Sequence, residues 1–257
     1  MKLFTTKLIV IFSLVIFGAS NSYSAAVTQI DKQVFADGDG EDLSSVMGDV
    51  VFNNDGTKMF TSYSNSTAVN TNDDVINEYT LSVPYDISSA TYAGASERCA
   101  VTDGEAGSKD RAMLSFSFSD DGMKIFVAQR GLNGVANSFV NRLDLTSAFD
   151  VSTCVYVNEI NVDTDLLQNG STAGPRVNTG GRNNLQGLDI TNDGTKMFLT
   201  MNDRDGNQSV KKYNFATPYD LTTITIDPSA IVLQKENPFG IFFGNNGKRL
   251  FVSFIGV

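Results

Sequence analysis

The sequence predicts an all-β protein built from repeats, and three observations support this fold class. One pattern with Asn-Asp-Gly or a close variant at its centre occurs four times, at residues 52–60, 118–126, 190–198 and 243–251. A Pro-Tyr-Asp or Ala-Phe-Asp turn follows each of the first three copies. No segment shows a sustained helical period with caps, so strands must supply both the core and its cover. Self-similarity at a period of some tens of residues is typical of repeat folds.

Each copy of the repeated pattern is predicted to be a β-hairpin. Asn, Asp and Gly tolerate the positive φ that tight turns between strands need. Before the turn apolar residues alternate, as Val50 and Phe52 do, whereas after it both faces are apolar, as at residues 125–127. A strand that is apolar on both faces must be covered on both faces. Because helices are not predicted, we expect Phe60, Phe126 and Phe198 to be covered by neighbouring sheets.

A third and a fourth strand complete each unit, on either side of the aromatic turn at Tyr85, Phe149 or Tyr219. We expect these aromatic residues, like Asp55, Asp121 and Asp193 of the hairpins, to be structural because the repeat carries them. Four antiparallel strands per unit, buried between neighbours, describe a β-propeller blade. The predicted blades are residues 46–98, 113–161 and 185–233, with an incomplete blade at residues 238–257.

About three and a half blades, or fourteen strands, are thus predicted. Propellers close with typically four to eight blades. We therefore expect the chain to be a fragment of a longer propeller and the ring to be partial. Two alternatives remain, namely closure by an amino-terminal strand and a ring that stays open.

The Asp-Gly-x-Lys-Met-Phe hairpins resemble the repeats of the YVTN and TolB-type β-propellers of bacterial envelope and secreted proteins. The resemblance runs from Val46 to Val257 and implies the propeller fold. Families with this fold include scaffolds, adhesion modules, lactonases and dehydrogenases. The resemblance therefore implies no single activity.

The amino terminus is predicted to be a signal peptide at residues 1–25, because Lys2 and Lys7 precede a short apolar run and small residues follow it. Residues 26–45 are predicted to be an extended segment and an acidic linker. We expect an exported protein, periplasmic or extracellular, without membrane insertion after cleavage. Loss of both lysines takes the formal net charge from −10 to −12, and such a surface repels nucleic acid.

Two cysteines, Cys99 and Cys154, occur in a chain that we expect to be exported, where disulfides form. Cys154 lies at the start of a predicted outer strand, and Cys99 lies just past the end of the outer strand of the preceding blade. The two sulfur atoms would lie near opposite strand ends unless residues 96–100 double back. The sequence leaves this bridge open.

Unequal connectors mark the face on which we expect binding. The Asp-Gly hairpins and the aromatic turns hardly vary, whereas the other face collects residues 65–74, 97–112, 131–137, 163–184 and 203–209. Insertions on one face of a repeat fold mark the usual binding face. Arg and Asn side chains in two of these connectors could hold a carboxylate, a phosphate or a sugar. The candidate ligand-binding residues are Arg111, Arg176, Arg182, Asn183 and Asn184.

The absence of His from the sequence excludes His general bases, Ser-His-Asp triads and His-ligated metals. We assign no catalytic residue, no metal ligand and no cofactor. Calcium held by oxygen ligands remains an alternative, since residues 37–42 and 203–207 are rich in Asp. Residues 37–42 lack the spacing of a known calcium loop, so an acidic linker is the favoured interpretation there. Residues 203–207 have alternating oxygen ligands and a Gly, but a hairpin tip needs the same residues and is the favoured interpretation.

The function we expect is a non-catalytic, exported binding propeller that recognises a small ligand, a glycan or a protein. One alternative is a calcium-dependent hydrolase or lactonase. Another is a surface or virion-like structural recognition module. The residues do not identify the partner.

Overall fold

A computed structural model describes residues 46–64, 74–101, 111–131, 138–162, 184–202, 209–233, 238–244 and 249–254. The predicted signal peptide and the segment at residues 26–45 lie outside these ranges. The strands are β1 Val46–Phe52, β2 Lys58–Ser64, β3 Val75–Leu81, β4 Ala90–Tyr92, β5 Arg98–Ala100, β6 Arg111–Phe118, β7 Lys124–Gly131, β8 Ser138–Asp144, β9 Val155–Asn161, β10 Asn184–Ile190, β11 Lys196–Asn202, β12 Ser209–Phe215, β13 Ile224–Val232, β14 Pro238–Gly244 and β15 Arg249–Phe254.

The helical elements in the described ranges are single 3-10 turns, at Ile87–Ser89, Ala95–Glu97, Val151–Thr153 and Leu221–Thr223. Within the same ranges, no helix has the length and apolar character needed to cross a membrane.

The strands form four antiparallel sheets that follow one another along the chain. Their orders are β1-β2-β3-β4 with β5 also on β3, then β6-β7-β8-β9, β10-β11-β12-β13 and β14-β15. The first strand of each sheet lies against the first strand of the next, since β1 contacts β6, β6 contacts β10 and β10 contacts β14. We call these four the inner strands and the sheets blades one to four. The predicted fold class, an all-β partial ring of propeller blades, is confirmed.

The outer strand of blade one differs from the prediction, because it is broken into two pieces. Gly94 adopts φ 118°, a conformation that favours glycine, and the 3-10 turn Ala95–Glu97 follows it. The chain then returns to the same edge, so that β4 and β5 both pair with β3. The described residues therefore contain fifteen strands where fourteen were predicted.

As predicted, a neighbouring blade covers the hairpin strands at Phe60, Phe126 and Phe198. The ring of Phe60 in blade one lies 4.8 Å from Phe118 and 6.5 Å from Phe149 of blade two, between ring centroids. The ring of Phe198 in blade three lies 4.0 Å from Phe243 of blade four. Aromatic pairs at such separations stabilise beyond their burial. The core is thus a series of sheet-to-sheet layers.

The aromatic turns between the outer strands repeat the same geometry in three blades. Tyr85, Phe149 and Tyr219 have positive φ values of 61°, 54° and 61°. Each ring lies against the hairpin glycine of its own blade, and each backbone N–H donates to that glycine's carbonyl, at 2.9–3.0 Å. The aromatic residues therefore close the hairpin end of each blade, which confirms their predicted structural role.

Candidate functional site

Strand polarity gathers the irregular connectors at one edge of the blades. In blade one the register pairs Val46 with Ser64 and Val75 with Ala100, so the strand ends beside two connectors share an edge. In blade two Arg111 pairs with Gly131, and in blade three Asn184 pairs with Asn202. We call this edge the irregular-loop face and the hairpin edge the regular face. Most residues of the connectors lie outside the described ranges.

Arg111, a predicted ligand residue, starts β6 on the irregular-loop face and is held by its own blade. Its Nη1 lies 2.7 Å from Oε2 of Glu159, and its Nη2 lies 3.3 Å from Oε1. The guanidinium carbon lies 3.4 Å from the ring centroid of Phe139, within the range of a cation–π contact. The Arg111 side chain is only 7% exposed. This arrangement fixes the end of the preceding connector and neutralises the arginine's charge.

The other predicted ligand residues receive little or no description. Arg176, Arg182 and Asn183 lie outside the described residues, as do the Asp-rich segments considered for calcium. Asn184 is the first residue of β10, and its backbone alone is described. Among the described residues, no three carboxylate or cysteine side chains converge to hold a metal ion.

A buried polar network joins blades one and two near the irregular-loop face. Oδ2 of Asp74 accepts hydrogen bonds from the Met113 backbone N–H at 2.9 Å and from Gln129 at 3.2 Å. Asn141 donates to Oε1 of Gln129 at 2.8 Å. This carboxylate thus connects the start of β3 to the inner strand of the next blade.

A second set of polar groups runs across the inner strands. Oδ2 of Asp49 on β1 accepts from the Ser115 hydroxyl at 2.6 Å and from the Phe116 N–H at 3.3 Å, both on β6. The Ser115 Oγ in turn accepts from the Leu188 N–H on β10 at 3.1 Å. Burial is the main cause that raises the pKa of Asp49 to about 6, with a smaller contribution from the charge of Asp189.

Asp189 makes the corresponding contacts between the last two inner strands. Its Oδ2 accepts from the Phe243 N–H on β14 at 2.7 Å, and its Oδ1 accepts from its neighbour Ile190 at 2.8 Å. The Ser117 hydroxyl on β6 lies 3.4 Å from Oδ1. Burial raises the pKa of Asp189 to about 6 as well. We call Asp49, Ser115, Ser117 and Asp189 the inner-strand belt.

Cys99 and Cys154 form a disulfide, with their Cα atoms 5.7 Å apart. Cys99 lies in β5 and Cys154 directly precedes β9, so the bridge ties blade one to blade two at their outer strands. The break at Gly94 makes this geometry accessible, because it returns residues 98–100 to the edge of β3.

Sequence reasoning missed Asp49, Asp74, Asp189 and Glu159. The inner-strand acids occupy strand positions where a polar residue is ordinarily solvent-facing. Their roles come from contacts between residues that are far apart in sequence. The available signal was weak: a charged residue close to the axis of a predicted ring, in a strand otherwise rich in apolar residues.

No protein-family model matches the chain, and no curated protein matches its sequence. Solved structures do resemble it. An endo-arabinase from Bacteroides thetaiotaomicron has a TM-score of 0.50 at 12% identity, over 87% of this chain and 80% of that one. An exo-β-1,3-galactanase from Phanerochaete chrysosporium has a TM-score of 0.50 at 12% identity, over 82% of this chain and 44% of that one.

A periplasmic gluconolactonase from Pseudomonas aeruginosa has a TM-score of 0.49 at 16% identity. The match covers 80% of this chain and 50% of the gluconolactonase, so this chain spans about half the length of that protein. Identities this low bear on the fold and leave activity open. Together with the four sheets, the endo-arabinase and galactanase matches show that the chain has a β-propeller fold.

Proposed function

We propose that the chain is an exported recognition module, which binds a small ligand, a glycan or a protein through its irregular-loop face. The single observation that carries this proposal is the strand register, which brings the ends of the unequal connectors to one edge of the blades. On the opposite face, the regular face, the same contact between a hairpin glycine and an aromatic ring occurs in three blades. Loops on a rigid scaffold, varied on one face, are the usual binding elements of repeat folds.

In this proposal Arg111 is an anchor and the connector at residues 163–184 makes the contacts. The guanidinium of Arg111 is already paired with Glu159 and stacked on Phe139, so it holds the neighbouring connector in place. Arg176, Arg182, Asn183 and Asn184 then supply the donors. Arginine and amide donors suit carboxylate, phosphate or sugar oxygens, and two cations stand out on a protein with a net charge of −10.

We place the protein outside the cytoplasm, in the periplasm or beyond, and among the YVTN or TolB-type repeat proteins. The apolar run after Lys7 and the disulfide support export, because disulfides persist in oxidising compartments. Expression of the full chain in a bacterium, followed by amino-terminal sequencing of the secreted or periplasmic product, tests this. A mature chain that still begins at Met1 would contradict it.

Binding is tested with a glycan array and with single Arg176→Ala and Arg182→Ala variants. Each variant should weaken the detected interaction without changing the melting temperature. Lys196→Ala is the matched control, because it removes a positive charge near the regular face. Unchanged affinity in both arginine variants would remove the connector at residues 163–184 from the site. A blank array would redirect the search to a protein partner.

The alternative, a calcium-dependent hydrolase or lactonase, has one observation in its favour. Asp49 and Asp189 have pKa values raised to about 6, and strongly perturbed carboxyl groups gather at functional sites. Both carboxyl groups, however, already accept hydrogen bonds from the next blade. Lactone hydrolysis assays and melting curves with calcium and with EDTA test this function. A melting temperature that does not respond to either would remove the metal.

A further inference from the structure

The junctions between the first three blades repeat one aromatic contact near the regular face. The ring of Phe60 in blade one stacks on the ring of Phe149 in blade two, with 6.5 Å between the centroids and an interplanar angle of 24°. The ring of Phe126 in blade two stacks on that of Tyr219 in blade three, at 6.1 Å and 26°. At both junctions the earlier blade therefore presents a phenylalanine to the aromatic turn of the later blade.

A cation of the earlier blade accompanies each stacked pair. Nζ of Lys58 donates to the Phe149 carbonyl at 2.9 Å, and Nη1 of Arg142 donates to the Tyr219 carbonyl at 3.4 Å. The aspartate that follows each aromatic residue in the turn adds a negative charge beside that carbonyl. The receiving turn thus offers a ring, a carbonyl oxygen and a negative charge, and the earlier blade supplies the matching ring and positive charge.

The aromatic turn of blade one has the same groups, but they are open to solvent. The ring of Tyr85 lies 5.6 Å from that of Phe52, between centroids, and Tyr85 is 57% exposed. Among the described residues no hydrogen-bond donor reaches the Tyr85 carbonyl. Val83 of the same turn is 52% exposed, and Val50, two residues before Phe52 on β1, is 42% exposed. Exposed apolar groups that lie together mark interaction surfaces.

Only part of this face of blade one is open. Met59 pairs with Phe52 and with Tyr79 across the sheet, and both Met59 and Tyr79 are buried. The open part is a band next to them on the side of the regular face. We call this band the backward rim, and its residues are Val50, Phe52, Val83 and Tyr85.

Blade four presents the ring and the cation that the backward rim lacks. In its hairpin Arg249 and Phe251 occupy the positions that Lys58 and Phe60 have in blade one, and Arg249 is exposed. Phe242 pairs with Phe251 across the sheet, with ring centroids 6.2 Å apart, and is 61% exposed. Both rings face away from blade three, because the next residue along β14 is the one that meets blade three. We call Phe242, Arg249 and Phe251 the forward rim.

We propose that copies of this chain associate head to tail, with the forward rim of one copy on the backward rim of a second copy. Phe251 stacks on the second copy's Tyr85, and Arg249 donates to the carbonyl of that tyrosine, beside the second copy's Asp86. Within one molecule the two rims do not cover each other, since Tyr85 and Phe242 are both exposed. A second copy is therefore the occupant that carries the matching groups.

The contact is heterologous, because the two rims are different surfaces. It repeats the geometry of the junctions within the chain, where a ring and a cation of one blade meet the aromatic turn of the next. This inference goes beyond the proposed function. It uses no residue of the irregular-loop face, so ligand binding there should persist when the association is lost.

Sedimentation equilibrium of the full chain, with its disulfide intact, tests the association. At about 100 µM, a contact with a Kd of about 10 µM is mostly formed. The wild type should then have the mass of two or more chains. A wild type with the mass of one chain at this concentration would overturn the proposal without the need for any variant.

Two variants establish which surfaces meet. The forward variant carries Phe242→Ser and Arg249→Glu, and the backward variant carries Val50→Lys and Val83→Lys. All four side chains are exposed, so the melting temperatures should stay unchanged. Each variant alone should sediment as a single chain, whereas an equimolar mixture should recover the mass of two chains, because each variant supplies the rim that the other lacks.

Val155→Lys is the matched control, because it places a charge on a valine that is 60% exposed and belongs to the outer strand β9. This variant should associate as the wild type does. Association of the forward or the backward variant alone would contradict the head-to-tail contact. A mixture of the two that contains single chains only would contradict it as well.

Discussion

The ring of Tyr219 occupies the space that a side chain at Gly194 would need. A Cβ atom at Gly194 would lie 2.4 Å from the Tyr219 ring, and Gly194 itself has a φ of 66°. The same relationship joins Gly56 to Tyr85 and Gly122 to Phe149. The hairpin glycine is thus required twice, once for the turn and once for the aromatic cover.

Gly194→Ala should destabilise the protein by about 2–4 kcal/mol, of which about 1–2 kcal/mol is the backbone cost and the rest is the clash with the ring. Urea unfolding measures the total. In a Tyr219→Gly background the clash is absent, so the same substitution should cost only the backbone share. An equal cost in both backgrounds would show that the ring and the glycine are not coupled.

Reduction of the Cys99–Cys154 bridge should destabilise the protein by about 2–4 kcal/mol, because it releases a constraint on the unfolded chain. Urea unfolding with and without a reductant measures this. The Cys99→Ala, Cys154→Ala double variant should have the same free energy of unfolding as the reduced protein, and the reductant should not change that value. If two thiols react under denaturing, non-reducing conditions, the bridge is absent and the prediction fails.

Lys58→Met should cost about 2–3 kcal/mol at neutral pH, because it leaves the buried Glu78 without its cation. Nζ of Lys58 lies 2.7 Å from Oε1 of Glu78 and donates to the Phe149 carbonyl of blade two. Burial already raises the pKa of Glu78, against the opposing effect of Lys58. Loss of the lysine raises that pKa further, so the destabilisation should be smaller in mild acid than at neutral pH.

Lys124→Met is the matched control for the lysine variant. Lys124 is the equivalent residue of blade two, but its Nζ lies 4.0 Å from an Asp144 carboxylate that is 37% exposed. Exposed pairs contribute at most about 1 kcal/mol. Urea unfolding should therefore show a larger loss of stability for Lys58→Met than for Lys124→Met. Similar losses would mean that the contacts of Lys58 with Glu78 and blade two do not stabilise the fold more than an exposed ion pair does.

Arg111→Ala should destabilise the fold by about 2–4 kcal/mol, because it leaves Glu159 unpaired and uncovers Phe139. Arg176→Ala and Arg182→Ala should leave the free energy of unfolding unchanged and reduce ligand binding instead. Melting temperatures and affinities of the three variants distinguish anchor from contact residues. A stable Arg111→Ala protein would remove the anchor role.

The blades were predictable because their signals are local. An Asn-Asp-Gly turn followed by residues such as Ile125 and Phe126 specifies a hairpin and demands cover on both faces. The break at Gly94 had no such signal, since one glycine in a polar stretch has many uses. The inner-strand belt was also beyond local reasoning. Asp49 and Ser115 are 66 residues apart, and only the packing of separate sheets makes them partners. Arg111 was identified for its charge, whereas its partner Glu159, 48 residues away, decides its role.

Each blade makes contacts with atoms of a later blade, and this matters during synthesis. Lys58 donates a hydrogen bond to the carbonyl of Phe149, and Thr200 donates one to the carbonyl of Phe239. Asp189 accepts a hydrogen bond from the backbone N–H of Phe243. Each unit therefore depends on atoms that the ribosome supplies later. A nascent chain emerges amino terminus first. Each folded sheet therefore exposes one apolar face until the next blade has been synthesised and packs against it. Chaperones that bind exposed apolar surfaces would act in the interval between the folding of one blade and the folding of the next.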